Sequence, residues 1–75
     1  MELLEALKTV REGGSIKSPT CSLTQGDGFI AKRDFTFKGG KTVNRTQVVS
    51  IVNGSEVHSI FDFKEAFSNN DWYVL

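Results

Sequence analysis

Apolar and polar positions recur with two different periods along this chain, and the change of period divides it into elements. Over residues 2–12, Leu3, Leu4, Leu7 and Val10 are spaced by three and four, which predicts an amphipathic helix of about three turns with one apolar stripe. Glu2 and Glu5 suit the positive end of its dipole, Lys8 and Arg11 the negative end, and Gly13-Gly14 supplies a left-handed stop. The period then shortens to two. "SIKSPT" reads as a short extended segment broken at Pro19, and "TQGDG" as a turn. "FIAKRDFTFKGG" reads as a strand in which Phe35 and Phe37 alternate with Thr36 and Lys38, closed by Gly39-Gly40. "KTVNRT" leads on to the next strand.

"QVVSIVNGSEVHSIF" carries a hairpin signal, because Asn53-Gly54 is the preferred pair for a type I′ turn. A two-residue loop sets Val52 opposite Ser55, Ile51 opposite Glu56, Ser50 opposite Val57 and Val49 opposite His58. Neither face of that hairpin is purely apolar, which fits a sheet half-covered on both sides; a longer loop or a bulge fits as well. In "DFKEAFS", Asp62 and Glu65 have capping-box spacing, and Phe63, Ala66 and Phe67 share a face, predicting a helix of two turns at most. "DWYVL" then reads as an apolar strand placed inside the sheet or at a subunit interface. Removing Trp72 to Leu75 is expected to unfold or disassemble the protein.

The expected architecture is therefore α+β. An N-terminal helix packs on a small antiparallel sheet of four or five strands, with a short second helix before the C-terminal strand. All 75 residues form one small domain. A chain of this size buries only about 60% of its unfolded surface. One Cys and one His exclude an intrachain disulfide and disfavour a zinc site, so self-association is the expected source of added stability.

Charge narrows the possible partners. Nine basic residues balance nine acidic ones, which argues against a dedicated binder of nucleic acid polymers. A local basic bias remains in Lys32, Arg33, Lys38, Lys41 and Arg45 against Asp34 alone; it reads as a solvated edge or as an anion-binding surface. No apolar run reaches the roughly 20 residues needed to cross a membrane. The acidic, helical start does not have the pattern of a signal peptide, so a cytosolic setting with Cys21 reduced is expected, and "NRT" and "NGS" read as chance glycosylation matches.

Catalysis requires a cluster that the sequence does not assemble. His58 and Cys21 lie in different segments, and Asp62 with Glu65, or Asp27 with Asp34, are explained by caps and turns. "GDGF" and "KGGK" are glycine turns beside basic residues, able to offer N–H groups to phosphate but without P-loop spacing. No enzyme activity and no cofactor are expected.

The two ends together resemble a known family. "LLEALKTVREGGSIKSP" is similar to a first helix "ALxxLKxG" running into a short strand, and "NNDWYVL" is similar to a terminal "xxDWxxx" strand. Both belong to the Thoeris anti-defence 2-like domains, small phage proteins. Where that family has a basic residue and then an aromatic after the first strand, this chain has Lys17, Ser18, Pro19, Thr20 and Cys21. The resemblance implies a homo-oligomer in the host cytoplasm that sequesters a cyclic-nucleotide or cyclic ADP-ribose immune signal without cleaving it. Such a ligand needs cationic donors and aromatic faces. Lys17, Lys32, Arg33, Lys41 and Arg45 are the candidate phosphate contacts; Phe29, Phe35, Trp72 or Tyr73 are the candidate stacking surfaces, with core packing as the alternative for each ring. The competing function is a small inhibitor or adaptor that docks on a host or phage protein through an apolar face.

Overall fold

The computed structural model describes residues 1–60 and 63–75. The Asp62 cap, and with it the capping box and the Phe63 side chain, lie outside the described residues. The elements run α1 (Leu3–Arg11), β1 (Ile16–Lys17), a 3₁₀ turn (Ser22–Thr24), β2 (Phe29–Thr36), β3 (Thr42–Val52), β4 (Ser55–Ser59), α2 (Phe63–Phe67) and β5 (Tyr73–Val74). The strands form one antiparallel sheet in the order β4-β3-β2-β1-β5. This is the α+β architecture that the periodicity predicts.

Helix α1 ends in a Schellman motif. Gly13 takes φ +94°, its N–H donates to Val10 O, and the Gly14 N–H donates to Thr9 O at 2.9 Å. The buried side chains of the helix are Leu3, Ala6 and Val10, whereas Leu4 is 65% exposed. The expected stripe is corrected accordingly. At about 100° per residue, Leu4 lies about 120° from the centre of the buried face, while Leu7 lies about 60° away and is half-buried.

That face packs on Ile16, Ile30 and Val48, joined by Cys21, Ala66 and Trp72. Trp72 is the largest fully buried side chain, and its indole N–H donates to Ala66 O at 3.4 Å. Met1 and Trp72 exchange two bonds, Met1 N to Trp72 O at 2.8 Å and Trp72 N to Met1 O at 3.0 Å. Asp71 ties the segment down further by accepting from the Ser18 and Thr20 hydroxyls. Strand β5 is nevertheless a two-residue edge of the sheet, not an interior strand. Its Tyr73 and Val74 are half-exposed because only one neighbour, β1, pairs with it.

The hairpin register matches the reading from Asn53-Gly54: Val52↔Ser55, Ile51↔Glu56, Ser50↔Val57 and Val49↔His58, with φ +52° at Asn53 and +80° at Gly54. The "KTVNRT" stretch is more than a connection, since β3 takes it up and pairs with β2 from Phe29↔Val49 to Thr36↔Thr42. β-branched Thr42, Val43 and Thr46 suit that extended backbone.

Candidate functional site

Strand alternation sorts the candidate residues onto two faces of the sheet. Ile30 and Val48 point under α1, so Lys32, opposite Thr46, is on the helix side. Phe29, Ala31, Arg33 and Phe35 of β2 stand on the other side with Val49, Gln47, Arg45 and Val43 of β3. Glu56 and His58 of β4 join them through their pairing with Ile51 and Val49. The 3₁₀ turn contacts both β2 and β3, and Ala31, Gln47 and Val49 of this second face are buried, while Arg33, Phe35, Val43 and Arg45 are half-buried.

Two arginines meet there. Arg33 and Arg45 are directly opposed across β2 and β3, an arrangement of like charges that is unfavourable unless one is neutralised. Arg33 is neutralised: its Nε and Nη2 donate to Glu56 at 3.0 and 3.2 Å, bridging β2 to β4 across the intervening strand. Glu56 also contacts His58 Nε2 at 2.9 Å. The Arg33 guanidinium, and after it the His58 ring, hold the Glu56 carboxyl at about 2, well below the usual carboxylate range. In return the Glu56 hydrogen bond raises the Arg33 pKa.

A pH prediction follows from these shifts. The folded Glu56 ionises near 2 against about 4.5 when unfolded, so its contribution is complete above the unfolded value and disappears as pH falls through the folded one. Asp71, depressed chiefly by the Ser18 and then the Thr20 hydrogen bond, acts in the same direction. Urea unfolding from neutral pH down to about 2 should show falling stability below about 4.5, and Glu56→Gln should reduce that slope.

Among the described residues Arg45 has no such partner. Its guanidinium lies 3.9 Å from the Phe35 ring centroid and 5.8 Å from that of Phe37, while the two rings meet edge-on at 5.1 Å. Among the described residues Arg45 Nε and Nη2 are buried without a hydrogen-bond acceptor, and Gln47 Oε1 on the same face is buried without a donor. Gln47 Nε2 donates to Arg33 O at 2.9 Å, so one end of that amide is fixed and the other is open. The arrangement holds two cationic donors and one acceptor beside an aromatic pair.

The remaining candidates are placed elsewhere. Lys17 Nζ donates to the carbonyls of Thr24, Gly26 and Gly28 at 2.7, 2.6 and 2.6 Å, which uses all three ammonium donors to close the loop after β1. It therefore offers no free donor to a phosphate. Lys17→Met should cost about 2 kcal/mol in urea unfolding and expose the loop to proteolysis, with Arg a poor replacement because its planar fork does not fit a three-carbonyl cup. Trp72 is a core ring with 1% exposure and presents no stacking face, and Tyr73 lies on the β5 edge. Lys41 is exposed at the β2–β3 turn. Phe29 stays with the site, its ring 5.6 Å from the Arg33 guanidinium. Cys21 is buried in the helix-side core and His58 stands on the opposite face, so the two do not form a catalytic pair.

Phe37, Gln47, Glu56 and His58 were not among the residues that the sequence marks as ligand contacts. The alternation of Phe35 with Phe37 placed those rings on one side. The Arg33–Glu56 pair spans 23 positions and has no local signal.

Among the described residues no helix is long and apolar enough to cross a membrane, and no group of three His, Cys, Asp or Glu could hold a metal ion. Compared with protein-family models, curated proteins and solved structures, the chain matches none.

Proposed function

We propose that the face carrying Arg33, Arg45, Phe29, Phe35 and Phe37 binds a phosphorylated, ring-containing small molecule and sequesters it without chemistry. The observation that carries this reading is Arg45, a guanidinium held against an aromatic ring with two buried N–H donors lacking acceptors. Such donors are costly to leave unpaired, and a phosphate oxygen is a matching acceptor for them. Phe37, beyond the end of β2 and 45% exposed, is the ring that an entering ligand displaces. The flat rings suit a base, and Gln47 Oε1 suits an exocyclic amino group.

Cyclic nucleotides and cyclic ADP-ribose isomers combine these features. The resemblance of both chain ends to the Thoeris anti-defence 2-like domains supports the same ligands, and the working reading is an immune-signal sponge. A thermal-shift and calorimetry panel of cyclic di- and trinucleotides and cyclic ADP-ribose isomers tests it. Saturable binding with the ligand recovered intact after heating is expected. A panel without any shift would remove the sponge reading, and turnover of a panel member would replace binding with catalysis.

A second reading, an inhibitor or adaptor, draws on a different place. Leu4 and Phe67, 65% and 53% exposed, line a cleft of about 310 Å³ with Glu2, Leu3, Ser68, Asn69 and Asn70. That volume is at the small end for a ligand pocket, and two exposed apolar side chains suit a partner's side chain better than a phosphate. Capture of one defined protein partner, lost on Leu4→Glu, would favour this reading.

A further inference from the structure

The two edges of the sheet are built differently. β5 is blunted by being two residues long. β4 is a five-residue strand in unbroken register with β3, and all five residues are exposed. Its sequence, Ser55-Glu56-Val57-His58-Ser59, contains no Lys, Pro, Gly or bulge to discourage pairing. Val57 within it, and Val52 and Ile60 beside it, are 48%, 51% and 71% exposed.

The turn determines which backbone groups face outward. In a two-residue hairpin the flanking pair, Val52 and Ser55, exchanges the closing hydrogen bonds, and alternation then directs Val57 and Ser59 inward to β3 as well. The N–H and C=O groups of Glu56 and His58 point away from the sheet. These residues also carry the strand's carboxylate and its imidazole.

From this we infer that β4 pairs antiparallel with β4 of a second copy, about a two-fold axis through Val57, joining two sheets into one. In that register Glu56 lies opposite His58 of the second copy, and the reverse, as hydrogen-bonded pairs. Val57 meets Val57 of the second copy on the helix side. The shifted alternatives set Glu56 against Glu56, two like charges, or His58 against His58; only the Val57-centred register places each Glu56 carboxylate beside an imidazole that can donate an N–H to it. The axis brings the two Arg33–Glu56–His58 networks together on the face that carries Arg45.

Light scattering of the full chain, independent of any ligand, tests this. At high micromolar concentration the wild-type chain should have the mass of a dimer or a multiple of it. His58→Pro removes one outward N–H and no inward one, so it should halve the mass while keeping the far-ultraviolet spectrum. A charge exchange covers the case in which that variant does not fold. A chain carrying both Glu56→Lys and His58→Lys, and another carrying His58→Glu, should each be dissociated alone and should associate on mixing, when every cross-strand pair becomes opposite in charge. A monomeric wild type, a folded His58→Pro chain of unchanged mass, or two charge variants that do not associate when mixed would overturn the pairing.

Discussion

Trp72→Ala should leave this protein without a cooperative unfolding transition. The ring is 1% exposed and packs with Leu3, Ala6, Val10, Ile16 and Ala66. Truncating a buried aromatic costs about 3–5 kcal/mol. A 75-residue domain has in total about 4–11 kcal/mol, so the loss is comparable with the whole stability. The indole bond to Ala66 O disappears at the same time, and with it one tie to α2. Urea unfolding followed by circular dichroism checks the outcome, and Trp72→Phe should fall between the two proteins because it keeps a ring but not the donor. The chain's single Trp gives a second readout, since its emission should move to the red as the native protein unfolds. Removing Trp72 to Leu75 should be at least as damaging. An alanine variant with the wild-type midpoint would mean that the β5 segment is not part of the core.

Arg45→Met should have the largest effect on binding and almost none on folding. Charge-assisted hydrogen bonds are worth about 1.5–3 kcal/mol each, so loss of both buried donors should weaken a phosphorylated ligand at least about a hundredfold. The free protein should keep or raise its midpoint, because the substitution removes two buried N–H donors without an acceptor among the described residues and keeps an unbranched apolar chain against Phe35. Arg33→Met should also weaken binding but with a visible stability loss, since it leaves Glu56 without its main partner. Calorimetry with a ligand that emerges from the panel, paired with urea unfolding of each variant, separates the two arginines. An Arg45→Met protein that binds normally would move the site away from this face.

The helix, the hairpin and the glycine stops were legible because each depends on residues a few positions apart. Asn53-Gly54 illustrates this: both positions take φ above zero, and the register of five pairs follows from a two-residue turn. The candidate site was legible only in part. The sequence marked the basic run, but strand parity sends Lys32 under the helix and keeps Arg33 and Arg45 together on the far side. It could not show that Lys17 would be consumed by three loop carbonyls, because the 3₁₀ turn that delivers them has no periodic signal. Leu4 belonged to a stripe by spacing and to the surface by angle, and only packing against the sheet chose the centre of the buried face.

The "DWYVL" end shows the same division. Its apolar, β-branched and aromatic character by itself determined that the segment is extended and joins the sheet. Only the tertiary structure decided that it is an edge, that Trp72 alone of its side chains is sealed in the core, and that Arg45 rather than Trp72 stands beside the Phe35–Phe37 pair. The reason is physical: local propensity and period depend on neighbours in sequence, whereas burial and charge pairing depend on strand order, which brings residues tens of positions apart onto one face.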